Sequence, residues 1–232
     1  MQFKQTLLAL AIGVTAMSAH AATGVLNNGD LLTITPGTGT YAQTSSGGTY
    51  LASVTGGSYF LMKGAPGALL APGSLGGIVV GQVTTAGANH SGPVAAGDTG
   101  NIDAPWNFYG NTGSDYTTVG ITGSTATGLN FSGWTVAWNG IAAIPMGSGA
   151  YGTGYSNGVA NFSWDGVYGD SYTLDYHATV PKNDPSNFGG VKYALHLTGT
   201  VVAAPVPEAS TYGMMVVGLG LVGAAVMRRR KA

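Results

Sequence analysis

Glycine is the residue that most restricts how this chain can fold. All but five of the 40 glycines lie in residues 22–204, here called the body, which contains no glutamate, no arginine and only three lysines. Each glycine inside a helix costs about 1 kcal/mol relative to alanine, and the straight-chain charged residues that favour helices are scarce. Long helices are therefore disfavoured in the body, and strands joined by glycine-rich turns are the predicted alternative.

Two segments near the end of the body show the alternation of a half-buried strand. Residues 171–180, SYTLDYHATV, and residues 191–203, which include VKYALHLTGTVV, place apolar side chains on one face and polar ones on the other. The intervening PKNDPSNFGG is dense in turn residues. Because strict period-two alternation indicates a strand with one buried face, the two segments predict an antiparallel hairpin with a long loop.

Shorter apolar or β-branched segments, separated by turn residues, occur throughout the rest of the body. They are GGTYLASV, GSYFLMKG, GGIVVGQVT, SDYTTVGIT, GLNFSGWTVAWNG and GVANFSWDG. Several short strands at this spacing predict an all-β domain of the β-sandwich or jelly-roll type. The segment TTAGANHSGPVAAGDTGNIDAP is predicted to be a long loop. The aromatic residues predicted to lie in the core are Phe131, Trp134, Trp138, Phe162 and Trp164.

The first 21 residues have the three parts of a secretory signal peptide. Lys4 precedes an apolar segment over residues 7–17, and Ala19 and Ala21 give the small-x-small pattern of a cleavage site. This order predicts that residues 1–21 are a signal peptide removed by signal peptidase after Ala21.

The charge and cysteine content of the body exclude several functions. Its three lysines stand against eight aspartates, a net charge of −5, so the body lacks the basic footprint that nucleic-acid binding requires. The chain has no cysteine, which excludes thiolate chemistry and cysteine-based zinc sites. No cofactor is predicted.

The C-terminal segment reads as three consecutive parts. Residues 205–210 are a proline-rich linker, and residues 211–227 are uncharged. As a helix, these 17 residues span about 25 Å, enough for a bilayer core with some snorkelling, and so predict a transmembrane helix. Residues 228–232 form a basic tail with Arg228, Arg229, Arg230 and Lys231. These cations predict that this end stays in the cytoplasm while the body lies outside the inner membrane.

This tail resembles the PEP-CTERM sorting signal of exopolysaccharide-producing Gram-negative bacteria. Pro207 and Glu208 match the first two motif positions, and Ala209 stands where the usual second proline would be. The resemblance implies recognition by an exosortase, a membrane-embedded cysteine protease. It also implies removal of the tail and delivery to the cell surface or the extracellular matrix.

One short motif invites comparison with serine hydrolases. GYSNG matches G-x-S-x-G around Ser156, and Asp170, Asp175, His177 and His196 follow in the order of a Ser-Asp-His triad. The nucleophile elbow needs a strand before the serine and a helix after it, and the flanking sequence predicts neither. A catalytic site is therefore not predicted, and a secreted hydrolase is kept only as a third hypothesis of function, after the two given below.

Asp175, His177 and His196 lie on the polar faces of the predicted hairpin. In one register Asp175 faces His196, and in another His177 does. Either arrangement permits a metal site with two histidines and one carboxylate. The alternative, which the sequence favours, is a solvated polar face with at most one Asp–His pair.

The predicted long loop supplies the remaining candidate site residues. Asp98, Asn101 and Asp103 offer oxygen ligands of the kind that calcium uses, although Asx turns explain them equally well. Trp106 and Tyr109 are candidates for a sugar-binding platform.

These patterns lead to two main hypotheses of function. The first is an exported, exosortase-processed and non-catalytic protein of the cell surface or extracellular matrix, associated with exopolysaccharide or biofilm. The alternative is a carbohydrate-binding module, in a calcium-dependent form if the loop aspartates bind the ion.

Overall fold

A computed structural model describes residues 24–43, 45–46, 49–73, 75–83, 115–117, 120–138, 141–205 and 219. The described residues between 24 and 205 form strands, bridges and turns, with no helix, and all their strand pairs are antiparallel. The predicted all-β class is therefore confirmed. Within the described part of the chain, no helix has the length and apolar character needed to cross a membrane.

The strands, in chain order, fall into three sheets. They are β1 (Leu31–Thr33), β2 (Thr38–Gln43), β3 (Thr49–Gly56), β4 (Tyr59–Met62), β5 (Ala65–Leu69), β6 (Gly77–Val79), β7 (Asp115–Thr117), β8 (Gly123–Ser124), β9 (Gly128–Asn130), β10 (Thr135–Trp138), β11 (Ile141–Pro145), β12 (Val159–Ser163), β13 (Ser171–Thr179) and β14 (Lys192–Val202).

The largest sheet is built around the predicted hairpin. Its order is β5-β4-β14-β13-β12-β9-β8, and β1, itself paired with β6, adds to β14. Strands β13 and β14 pair along their length, from Ser171 opposite Thr200 to Thr179 opposite Lys192. The predicted hairpin is confirmed, with ends that differ by one residue from the predicted bounds. Smaller sheets are formed by β11-β10-β7 and by β2-β3.

The inner face of the hairpin carries the centre of the core. Tyr172, Leu174 and Tyr176 of β13 are fully buried, as the alternation predicts. Trp134, just before β10, packs against Tyr176 and Tyr193 with ring centroids 6.0 and 6.1 Å apart. The three-stranded sheet is therefore attached to the main sheet through aromatic rings. Burial in this contact raises the pKa of Tyr176 to about 12.

The predictions for the other core aromatics are also confirmed where the structure describes them. Phe131, Trp134, Phe162 and Trp164 are buried. The side chain of Trp138 lies outside the described residues, as does the predicted long loop.

One glycine permits a close approach between β1 and the hairpin. A Cβ at Gly199 would collide with the carbonyl oxygen of Thr33 and would lie 3.0 Å from the ring of Tyr172. The Tyr172 hydroxyl donates a hydrogen bond to the same Thr33 oxygen, at 2.8 Å. The missing side chain therefore lets a buried tyrosine bond the backbone of a neighbouring strand.

Candidate functional site

A row of polar side chains crosses four strands on the face of the main sheet opposite the core. Tyr59 of β4 lies opposite His196 of β14, His196 lies opposite Asp175 of β13, and Asp175 lies opposite Asn161 of β12. Residues that lie directly opposite each other in antiparallel strands point to the same face. The four side chains therefore form one line on the outer face.

The centre of this row is an Asp–His pair. His196 Nδ1 lies 2.6 Å from Asp175 Oδ1, and the two side chains are 23% and 41% exposed. The ring of Tyr59 stacks on His196, with centroids 4.8 Å apart. Of the two registers considered from the sequence, the structure adopts the one that places Asp175 opposite His196.

His177 does not join this pair, because a loop packs over it. The tyrosine loop (residues 147–158) connects β11 to β12, and its residue Tyr155 stacks on the imidazole of His177 with centroids 3.8 Å apart. Tyr151 of the same loop lies 5.0 Å from that imidazole, and the Lys192 ammonium lies 5.0 Å above the Tyr151 ring. His177 is therefore part of an aromatic stack.

A hydrogen bond joins the tyrosine loop to strand β13, and another lies within the loop. The carbonyl oxygen of Gly149 accepts a hydrogen bond from the Thr179 N–H at 2.6 Å, and the Gly149 N–H donates to Asn157 Oδ1, also at 2.6 Å. Gly152 adopts a φ of +92°, and a Cβ there would lie 3.3 Å from His177 Nδ1. Glycine thus allows the backbone to turn closely over the imidazole.

We call Tyr59, Tyr151, Tyr155, Asp175, His177 and His196 the outer-face cluster. Burial raises the pKa of Tyr59, and the charge of Asp175 raises it further. The pKa of Tyr155 is raised by burial first, then by the charge of Asp175 and then by Tyr59. Both phenols therefore remain protonated hydrogen-bond donors at neutral pH. The cluster combines ring faces, three tyrosine hydroxyl groups and a carboxylate acceptor. Among the described residues, no group of three histidine, cysteine, aspartate or glutamate side chains is arranged to hold a metal ion.

The serine motif has a different backbone context from a nucleophile elbow. Ser156 forms an isolated bridge with Val159, and strand β12 begins at Val159. An elbow requires a helix at this position. Of the residues that follow Ser156 in triad order, Asp175 and His196 bond each other. Asp170 lies before β13, and a hydrogen bond to Asp165 and the Asp165 charge raise the pKa of Asp170. Asp170, Asp175 and His196 therefore each have a partner other than Ser156.

The remaining predicted site residues lie outside the described part of the chain. They are the cleavage-site residues Ala19 and Ala21, the loop residues Asp98, Asn101, Asp103, Trp106 and Tyr109, the motif residues Pro207, Glu208 and Ala209, and the cations Arg228, Arg229, Arg230 and Lys231.

The outer-face tyrosines were missed by the sequence predictions. Tyr59 follows the alternation of β4, in which Phe60 is buried, and this alternation was a usable signal for a tyrosine on the outer face. Tyr155 has no such signal, because it lies in a glycine-rich loop whose position depends on contacts with β13.

A buried carboxylate fixes the end of the body. Strand β14 ends at Val202, and two residues later the Ala204 N–H donates to Asp30 Oδ1 at 2.9 Å. Asp30 is 1% exposed, and its other oxygen accepts hydrogen bonds from the Asn27 N–H and the Tyr168 hydroxyl at 2.8 and 2.9 Å. The fold therefore holds the chain up to the residue before the proline-rich linker.

Comparison with known families identifies the segment that follows. Residues 205–231 match the family model of the PEP-CTERM protein-sorting motif. Comparisons with curated proteins and with solved structures found no match for the chain. The match begins directly after the residue that Asp30 anchors. The chain thus carries a PEP-CTERM protein-sorting motif, which marks it as an exported protein that an exosortase processes from a membrane-anchored precursor.

Proposed function

We propose that this chain is a non-catalytic protein of the cell surface or extracellular matrix, associated with exopolysaccharide or biofilm. The observation that carries the proposal is the position of the sorting motif, which starts three residues after the last strand of a folded antiparallel body. The backbone around Ser156, where a strand follows the serine, supports a role without catalysis.

The proposed precursor has five parts. A signal peptide (1–21) is removed by signal peptidase, and the body (22–204) folds outside the inner membrane. A linker with the Pro-Glu pair (205–210) precedes a transmembrane helix (211–227), and the basic tail (228–232) stays in the cytoplasm.

We also propose that the fold of the body is a β-sandwich. The packing of Trp134 on Tyr176 and Tyr193 supports the three-stranded sheet as the second layer.

Substitution in the Pro-Glu pair tests the proposed processing. We expect the double variant Pro207→Ala/Glu208→Ala to accumulate in the inner membrane with its tail uncut, because the protease recognises this pair. Pro205→Ala is the matched control: it also removes a proline from the linker but leaves the pair intact, and it is expected to be processed normally. Normal processing and location of the double variant would contradict the proposal.

The second candidate function is carbohydrate binding. The outer-face cluster favours it, because aromatic faces beside hydrogen-bonding groups suit the mixed apolar and polar surface of a sugar. The loop residues Trp106 and Tyr109 belong to the same proposal, and Asp98, Asn101 and Asp103 to a calcium-dependent form of it. A glycan array with Trp106→Ala and with added calcium or chelator separates these contributions.

A further inference from the structure

We infer that the outer-face cluster is a binding site for a neutral saccharide. The class of ligand rests on the proposed association with polysaccharide, whereas the location of the site rests on the geometry alone. The site lies on β4, β13 and β14 and under the tyrosine loop, and its residues are all among those that the structure describes.

The first element of the site is a pair of adjacent aromatic stacks. One is Tyr59 on His196, and the other is Tyr155 with Tyr151 on His177. His177 follows Asp175 by two positions on β13, and Asp175 faces His196. The stacks therefore lie about 7 Å apart along the strand direction. Tyr59 and Tyr155 are each half-buried, so part of each ring stays open to a single extended ligand.

The second element is a set of polar groups at the stacks. Asp175 Oδ1 is bonded to His196, while no described residue donates a hydrogen bond to Asp175 Oδ2. The carboxylate is 41% exposed, so this oxygen is available as an acceptor. Because the phenols of Tyr59 and Tyr155 stay protonated, donors and an acceptor stand beside the ring faces. Sugar hydroxyl groups require this combination.

The other end of the same hairpin shows that the cluster is not a general property of this face. Toward the start of β13 and the end of β14, the outward positions hold Ser171, Thr173, Thr198 and Thr200. Small hydroxyl residues are sufficient for the solvent face of a strand. The tyrosines and the Asp–His pair are confined to the end covered by the tyrosine loop, which points to a local role.

The charges favour a neutral saccharide over an acidic one. The exposed carboxylate of Asp175 lies at the centre of the site, and the body carries a net charge of −5. The nearby cation Lys192 is held over the Tyr151 ring. A uronic acid placed against Asp175 would meet like-charge repulsion in a partly buried site, where charges are screened less than in water.

A glycan array tests the inference on the full-length chain, solubilised in a zwitterionic detergent that carries no sugar headgroup. The array holds neutral hexose, N-acetylhexosamine and uronic-acid glycans, together with extracellular polysaccharide extracted from the producing cells. We expect retention on neutral glycans, and a loss of at least about tenfold in affinity for Tyr155→Ala and for Asp175→Asn. Thr173→Ala, on the same strand but outside the cluster, is expected to bind like the parent chain.

A conservative variant separates binding from folding. Tyr155→Phe keeps the ring that packs on His177 and removes only the hydroxyl, so we expect an unchanged thermal transition and a loss of a few fold in affinity. No binding of the parent chain, binding confined to uronic-acid glycans, or equal binding by Asp175→Asn would each overturn the inference. So would a shift from dimer to monomer in Tyr155→Ala without glycan binding, which would assign the face to a second copy of the chain.

The outcomes for this site and for processing are independent. A chain that is exported and cut but binds no glycan overturns the saccharide site and leaves the processing proposal standing. A chain that binds neutral glycans but keeps its tail in producing cells supports the saccharide site and overturns the processing proposal.

Discussion

Removal of the Asp30 carboxylate should destabilise the body and release its C-terminal end. Asp30 is 1% exposed and accepts hydrogen bonds from the Asn27 N–H, the Tyr168 hydroxyl and the Ala204 N–H, at 2.8, 2.9 and 2.9 Å. Asp30→Ala leaves all three donors without this acceptor. The same substitution frees the residue that precedes the sorting motif.

The expected loss of stability follows from the number of hydrogen bonds removed and from how far water reaches their donors. A hydrogen bond to a charged group contributes about 1.5–3 kcal/mol, but the desolvation of the carboxylate opposes this gain, and partly exposed donors can bond water after the substitution. Asn27 is exposed, and Tyr168 and Ala204 are half-buried. We therefore expect Asp30→Ala to lower the free energy of unfolding by about 2–4 kcal/mol. In a domain of this size that corresponds to about 5–15 °C in Tm.

Urea unfolding of residues 22–205, followed by tryptophan fluorescence, measures the effect. Asp184→Ala is the matched control, because it also removes one carboxylate that accepts a backbone N–H, from Ser186 at 2.9 Å, but in a turn of the β13–β14 loop. We expect the control to lose less than about 1 kcal/mol. A loss of the same small size in Asp30→Ala would refute the conclusion that this carboxylate fixes the end of the body.

Three further predictions concern packing and ionisation. Gly199→Ala should cost about 1–3 kcal/mol in urea unfolding, because the added methyl group collides with the Thr33 carbonyl oxygen. The hydrogen bond and charge of Asp165 raise the pKa of Asp170 above 3.8, so the folded state loses stability as pH rises through that pKa. Asp165→Asn removes this charge and should therefore raise Tm at neutral pH. This gain should vanish below pH 3.8. Burial raises the pKa of Tyr176 from 10.0 to about 12, so the stability should persist to pH 10 and fall between pH 10 and 12, as followed by phenolate absorbance.

Each of these predictions has an outcome that would contradict it. An unchanged urea midpoint in Gly199→Ala would mean that β1 can move away from β14 at no cost. A gain in Asp165→Asn that persists at pH 3 would show that charge repulsion is not its cause. Ionisation of all tyrosines near pH 10 without unfolding would show that the core tyrosines are accessible to water.

The hairpin and its core face were predictable from the sequence because both depend on local alternation. Tyr172, Leu174 and Tyr176 are buried where period two places them. Strands such as β1 (Leu31–Thr33) were not predicted, because three residues give too short a pattern. Strand β1 is stabilised instead by pairing with Val201 and Val202, far along the chain.

The candidate site was predictable only in part, for the same physical reason. Alternation placed Asp175 and His196 on one face, but two registers satisfied the pattern equally well. The pairing of Asp175 with His196 is seen only in the folded sheet. Tyr59 reaches His196 from a distant strand and Tyr155 reaches His177 from a distant loop, so no local pattern brings these residues together.

The intact mass of the protein recovered from the surface of producing cells tests the central claim most directly. That claim is that an exported β body is separated from its membrane tail at the sorting motif. The account predicts one species that lacks residues 1–21 and ends near the Pro-Glu pair at Pro207, with any attached sugar visible as added mass. A species that still carries the basic residues 228–231 would contradict it.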